Sequence, residues 1–323
     1  MVVLKTAWWI AAVVAALAVI GYAALELTPW PAALFYRFFM NREGDALARA
    51  AEKHVPPGVA AILDQQYDPE AALDVYYPAQ ASGALPTIVW AHGGGFFAGS
   101  RKQIANYLKI LAARGYTAVS VGYSLAPGRH YPTQVRQLNA ALGYLVQNAQ
   151  RLRVDPQRLF LAGDSAGAQL AAQMANLVSV PSYAAKLGVA PSIQRSQLRA
   201  VILHCGVYEL ELANLDGPFG HFFRTVMWSY SGRKNAAPPP EISVARFVTR
   251  EFPPAFVSAG NADPLLPQSK ALVDALTRQG AKVDALFFPD DYKPELPHEY
   301  QFNLDTDAGR LALERALEFL ATF

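Results

Sequence analysis

Along most of the chain, short apolar runs alternate with amphipathic stretches, and the two spacings exchange regularly. Leu73–Tyr77 (LDVYY) alternates with a period of two and stops at Pro78, which predicts a strand. Thr87–Ala91 (TIVWA) and Tyr116–Val121 are continuous apolar runs, the mark of strands buried on both faces. Further strands are expected at the apolar run beginning at Leu159, at Ala200–Cys205, at Ala255–Ala259 and at Lys282–Phe288. Between them lie expected helices at Gln103–Arg114, closed by Gly115, at Val135–Arg151, and at Pro267–Gln279, closed by Gly280. Thr306–Phe323 reads as a terminal helix, and Arg42–Leu63 as a helix interrupted at Pro56-Pro57-Gly58. Strands and helices alternating in this way predict an α/β fold with a doubly wound, mostly parallel sheet.

Two stretches break the alternation. Ala7–Leu25 carries no charge over 19 residues, and at ~1.5 Å per residue it reaches roughly 28 Å, about the hydrocarbon thickness of a bilayer. Trp8 and Trp9 near one end, and Tyr22 and Trp30 near the other, are placed as interfacial aromatics. A cleaved signal peptide is the alternative, with Lys5 as its basic n-region, although the apolar run exceeds the usual ~7–15 residues of such a segment. An uncleaved single-span membrane anchor is the preferred reading. Lys5 and the terminal amine on one side balance Arg37 and Arg42 on the other, so the orientation stays open, with a lean to the extracytoplasmic side. The apolar, aromatic segment Trp30–Met40 is expected to lie along the membrane surface, the alternative being that it floors a pocket. The second break is the stretch of about fifty residues between the strands ending near Cys205 and starting near Ala255, far longer than an ordinary βα loop. It is rich in aromatics (Tyr208, Phe219, Phe222, Phe223, Trp228, Tyr230 and Phe247) and is expected to form a lid or pocket wall, with peripheral packing helices as the alternative.

Composition narrows the class. A formal net charge of +2 over 323 residues gives no reason to expect a nucleic-acid partner, for which a concentrated basic patch would be needed. Cys205 is the one cysteine, which rules out an internal disulfide and a cysteine metal cluster. The hydrophobic fraction of 52% is high for a soluble protein, and much of the excess lies at the N-terminus.

The chemistry centres on Leu159–Gly167 (LFLAGDSAG), an apolar strand followed by Gly163-Asp164-Ser165-Ala166-Gly167 and a small-residue helix start. The pattern G-x-S-x-G is that of a nucleophile elbow, a strained strand-to-helix turn that presents the serine hydroxyl. Such a serine needs a base, a group to orient that base, and donors for the oxyanion. In this architecture the partners follow in the order Ser, Asp/Glu, His. Asp263 comes after the Ala255–Ala259 strand and His298 after Lys282–Phe288, with Asp290 and Asp291 as reserve acids. His54, His130, His204 and His221 fit the required position less well. His92-Gly93-Gly94-Gly95, after the Thr87–Ala91 strand, is suited to present backbone N–H groups, as is Ala166 after the serine. A phosphate loop would need a lysine that this run lacks. Asp164 is expected to point away into hydrogen bonds with loop backbone.

Taken together, HGGGF at His92–Phe96, YSLAP at Tyr123–Pro127, GDSAG at Gly163–Gly167, DPL at Asp263–Leu265 and the late His298 resemble the hormone-sensitive-lipase-like branch of α/β-hydrolase esterases. The resemblance covers roughly Leu73 to Phe323. It implies the α/β-hydrolase fold with a cap, Ser165 as nucleophile, His298 as general base then acid, Asp263 as its orienter, and the amides of Gly94, Gly95 and Ala166 as the oxyanion hole. Two departures stand out: Ser124 occupies the arginine position of YSLAP, and the segment before His298 (DDYKPELPHEY) departs from the common G-x-x-H-x-F. The expected organisation is residues 1–27 as anchor or signal segment, 28–63 as amphipathic, cap-forming helices, and 64–323 as the catalytic domain with a cap insertion at about 207–252. The expected function is hydrolysis of small short-to-medium acyl esters through an acyl-enzyme, with no metal or organic cofactor. An amide or formamide hydrolase or a deacetylase with the same triad is the alternative, and a membrane-tethered binding protein on a hydrolase scaffold is the remote one. The oligomeric state is not legible.

Overall fold

The computed structural model describes residues 2–213, 215–234 and 237–323. Met1, Asn214, Asn235 and Ala236, the last three within the expected cap, lie outside the described residues. The strands are β1 (Val59–Asp68), β2 (Ala71–Pro78), β3 (Leu85–Ala91), β4 (Thr117–Val121), β5 (Val154–Asp164), β6 (Leu198–His204), β7 (Ala255–Ala259) and β8 (Val283–Phe287). The helices are α1 (Val2–Leu27), α2 (Trp30–Glu52), α3 (Ala105–Ala113), α4 (Thr133–Gln147), α5 (Ala149–Leu152), α6 (Ala166–Ser179), α7 (Pro181–Leu187), α8 (Gly220–Ser231), α9 (Leu266–Arg278) and α10 (Asp307–Leu320).

The strands form one sheet in the order β1-β2-β4-β3-β5-β6-β7-β8. Only the β1–β2 and β2–β4 pairs are antiparallel, and the remainder are parallel. This is the α/β-hydrolase fold. Its central strands are apolar on both faces because both are covered. Val89, Ala91, Leu159 and Leu161 pack toward the side of α4, α6 and α9, while Ile88, Trp90, Phe160 and Ala162 pack toward α3 and α10. The period-two alternation therefore sorts residues between two cores. The chain runs from β3 outward to β4 and then returns across β3 to β5. β3 and β5 lie side by side there, with Ala91 paired to Gly163, and the crevice beyond their carboxyl ends is where such sheets place ligands.

Two expectations are corrected. Residues 59–63, expected as the end of a helix, open the edge strand β1, which pairs with β2 from Val59↔Pro78 onward. The helix ends before Pro56-Pro57-Gly58, and VAAIL carries no periodicity of its own, so pairing decides its state. The helix itself begins at Trp30 rather than Arg42, with Pro31 in its first turn, where a missing N–H costs nothing.

α1 is exposed over Trp8–Leu27 and is long and apolar enough to cross a membrane or serve as a signal sequence. Among the described residues, the insertion after β6 holds α8 and three 3₁₀ turns. It is fastened to α6 by a stripe of buried amides: Gln169, Gln173 and Asn176 donate to the carbonyls of Ile242 (3.0 Å), Glu241 (3.1 Å) and Val244 (3.0 Å). Their spacing of four and three residues puts all three on one helix face.

Packing of α6 against β3 is close enough that a Cβ on Gly167 would stand 2.0 Å from the Ala91 carbonyl oxygen. Gly167→Ala is therefore expected to cost about 3 kcal/mol or more, in contrast to a surface change within about 0.5 kcal/mol. Urea unfolding of the two variants checks this, with Gly83→Ala as the surface control because its Cβ would meet nothing within 4 Å.

Candidate active site

Ser165 sits between β5 and α6 with φ 50° and ψ −119°. For an L-residue this is strained backbone, held here by the surrounding packing. Its N–H donates to the His204 carbonyl across the β5–β6 pair (2.9 Å), and its side chain looks out of the carboxyl end of the sheet. The Ser165 Oγ lies 3.0 Å from Nε2 of His298, and Nδ1 of the same ring lies 3.0 Å from both carboxylate oxygens of Asp263. Asp263 is buried and also accepts the Leu265 N–H at 2.7 Å. Asp290 and Asp291 are exposed on the turn after β8, and it is Asp263 that faces the imidazole.

Two loops must be held in register for this to happen, and Asn261 does so. Its Oδ1 accepts the Leu296 N–H (2.8 Å) and its Nδ2 donates to the Tyr292 carbonyl (3.0 Å), while the Ala262 N–H donates to the Leu296 carbonyl (3.1 Å). This fastening of the segment before His298 to the Asp263 loop accommodates its departure from the common motif. Nothing in the sequence pattern singled out Asn261.

Burial works to lower the pKa of His298, but the neighbouring Cys205 sulfur and the Asp263 carboxylate outweigh it and hold the ring well above its ordinary 6.5. Cys205 could contribute charge only as a thiolate, and burial pushes that thiol up to about 11. The carboxylate is therefore the lasting cause. Cys205, Asp263 and His298 are also the group, among the described residues, whose donor atoms lie close enough (within 4.8 Å) to hold a metal ion. With both Asp263 oxygens and Nδ1 already facing one another, an ion could enter only by breaking that hydrogen bond.

The His92–Gly95 loop follows β3. Gly93 donates its N–H to Oδ2 of Asp164 (2.7 Å), whose Oδ1 accepts the indole N–H of Trp90 (2.7 Å). Asp164 is thus turned into the loop backbone, and Gly94 and Gly95 line the cavity beside Ser165. Gly94 has φ 111°, and a Cβ there would meet the Ala98 carbonyl oxygen at 2.2 Å. His92 is neutral, its pKa lowered to about 4 by burial, and its ring stacks on Tyr123 at 4.3 Å. The Tyr123 hydroxyl donates to the His92 carbonyl at 2.8 Å, which is what the YSLAP segment contributes here. Burial and the charge of Glu299 push Asp164 well above the ordinary carboxylate range. Glu299 also comes within 3.7 Å of Nε2 of His298. It is a feature of the site that no motif signalled.

These groups open into a cavity of about 700 Å³. One wall is the cap, where Val207, Phe219, Phe222, Phe223 and Val226 line the space. Tyr208 and Tyr230 are instead buried in the core, and Phe247 packs on Tyr183. The other wall is α2, through Tyr36, Met40, Glu43 and Leu47. The alternative reading of Trp30–Met40, that it floors a pocket, thus describes its inner face. α2 also grips the glycine loop. Arg37 donates to the carbonyls of Phe97 and Ala126 (2.8 Å to the latter), and Oδ1 of Asn41 accepts the Gly99 N–H at 2.9 Å.

Comparison with known proteins accords with this architecture. The BD-FAE family profile matches residues 73–276. Among curated relatives, the acetyl esterase of Salmonella choleraesuis (strain SC-B67) is 24% identical over 312 residues, covering 90% of each chain. Among solved structures, the inhibited esterase B from Lactobacillus rhamnosis superposes with a TM-score of 0.78 at 24% identity, covering 90% of this chain and 97% of the other. A bacterial heroin esterase superposes with a TM-score of 0.69 at 23% identity, covering 87% and 90%. The chain belongs to the BD-FAE family and has the α/β-hydrolase fold of hormone-sensitive-lipase-like esterases.

A histidine serves as base only when neutral, so a pKa held above the ordinary imidazole value places the acid limb of kcat/KM at higher pH than free imidazole would. Asp263→Asn should move that limb to lower pH and cut kcat by about 10⁴-fold, whereas Cys205→Ala should leave it in place. Profiles of kcat/KM against pH, with NMR titration of the imidazole in the slow variant, check both. A limb that follows Cys205 and ignores Asp263 would overturn the assignment of the acid.

Proposed function

We propose that this protein is a serine carboxylic-ester hydrolase that acts on short-to-medium acyl esters through an acyl-enzyme. The observation that carries the reading is the continuous hydrogen-bonded series Asp263–His298–Ser165, with 3.0 Å steps, at the edge of a cavity lined on two sides by apolar groups. In the acylation step, the Ser165 hydroxyl gives its proton to Nε2 of His298 as Oγ bonds to the ester carbon. The carbonyl electron pair moves onto oxygen, where the amides of Gly94, Gly95 and Ala166 receive it. Collapse of the adduct expels the alcohol, which takes the proton back from Nε2. A water molecule then repeats the sequence and releases the acid. Asp263 fixes the ring tautomer and stabilises the imidazolium formed at each step. No metal or organic cofactor enters this scheme.

The acetyl esterase name of the curated relatives supports a small acyl group. It also keeps open the second reading, removal of acetyl groups from amides or sugars by the same triad. The apolar span of α1, uncharged over Ala7–Leu25, supports a single-pass membrane anchor over residues 8–27, with a lean to the extracytoplasmic side for the catalytic domain.

Purified protein should release p-nitrophenol from short acyl esters. Ser165→Ala should lower kcat by several orders of magnitude, on the order of 10⁶-fold for loss of a triad nucleophile, with unchanged circular dichroism. Activity surviving that change would sink the assignment. A parallel panel of acyl esters, formamides and acetylated sugars separates ester from amide cleavage.

A further inference from the structure

The first half of α2 has its polarity turned inside out. Over residues 30–41 its one charged residue is Arg37, and that side chain points inward to the carbonyls of Phe97 and Ala126. The outward positions hold Trp30, Leu34, Phe35, Phe38 and Phe39, with Phe35 60% and Phe38 62% exposed. Charged residues return to the outside only from Arg42. A helix lying against water shows the opposite arrangement, and five large apolar groups on one exposed face ask for an apolar cover.

Connectivity identifies that cover. α2 starts three residues after Leu27, the last residue of the apolar span in α1, so its first turn lies within about 11 Å of the end of that span. If α1 enters a bilayer, Trp30–Phe39 sits at the boundary of the same bilayer, where interfacial helices bury such faces. The inner face of this stretch is also the cavity wall. Ring contacts run from exposed Phe35 to Tyr36 (5.6 Å) and from Tyr36 to Phe222 (5.1 Å), and Tyr36 and Phe222 line the cavity. Phe219 lines it as well and is 53% exposed, which marks this side as a rim.

We propose that the outer face of α2 lies in the headgroup–acyl boundary of the membrane and that the cavity takes its ester from that layer, across the Tyr36–Phe222 edge. The substrate class is then an amphiphilic or apolar ester partitioned into the bilayer, rather than one dissolved in water. This rests on the anchor reading of α1, and the test separates the two.

Full-length protein is reconstituted in phosphatidylcholine vesicles with a nitroxide at Phe38→Cys or, as a control at the polar end of α2, at Arg49→Cys; Cys205 is buried and does not take the label. Flotation with the vesicles reports on α1, and failure to float would overturn the anchor and the proposal together. For protein that floats, the label at 38 should collide more with oxygen than with a water-soluble nickel chelate, and the label at 49 the reverse. Nickel access at 38 overturns the proposal while leaving the anchor intact. A label at 38 shielded from both probes also overturns it, in favour of a second copy of the chain on this face. In the activity arm, the Phe35→Ser, Phe38→Ser, Phe39→Ser triple variant should lose about tenfold on a vesicle-held short-acyl ester of a long-chain alcohol and keep its rate on dissolved p-nitrophenyl acetate. Equal losses on both substrates, or none on either, overturn it.

Discussion

A serine held at φ 50° is the constraint on which the site depends. An L-residue avoids that region, so the turn exists only because its neighbours leave the backbone no other course. Gly163 and Gly167 allow α6 to start almost in contact with the end of β3, and the Ser165 N–H is tied to β6. With the serine thus fixed at the point where the sheet order reverses, the loops after β3, β7 and β8 need only reach inward to bring Gly94, Gly95, Asp263 and His298 around it. The long β-sheet core, indifferent to chemistry, supplies the rigidity that the strain requires.

α2 joins regions that the chain order keeps far apart. One side of it walls the cavity, Arg37 and Asn41 hold the glycine loop that would bind the oxyanion, and the Tyr36 hydroxyl pairs with His221 of the cap at 3.0 Å. Residues that precede the sheet in sequence therefore shape the pocket as much as those of the cap insertion do. The same cap is tied to α6 through Gln169, Gln173 and Asn176, so the helix that follows Ser165 and the cap share a single framework.

How much of this was legible in the sequence differs by the range of the interaction. The parallel strands and the HGGG and GDSAG turns could be read because their signals are local: apolar runs, glycines at fixed offsets, and a serine between small residues. Asp263 and His298 could be read because fold order constrains where they fall. Val59–Asp68 could not, since its strand character comes from pairing with β2. Trp30–Met40 was ambiguous for a physical reason: it is apolar on both sides, one facing a cavity and one facing outward, and composition cannot say which. Asn261, Glu299 and Arg37 act across loops distant in sequence, and each is polar in the ordinary way until its partners are known. The amide stripe on α6 did carry a signal, three side-chain amides at helical spacing in a helix otherwise built of small and apolar residues, which a search for buried polar periodicity would have found.

Cys205 gives the molecule an internal reporter. It follows β6 in a left-handed backbone conformation, φ 44°, and its thiol is buried against the ring of His298. As the one cysteine of the chain, it contributes a single S–H stretching band, in a region of the infrared spectrum where other protein vibrations are weak. The frequency of that band follows the charge and hydrogen bonding of the adjacent imidazole, so proton movement during acylation can be observed in the unlabelled protein.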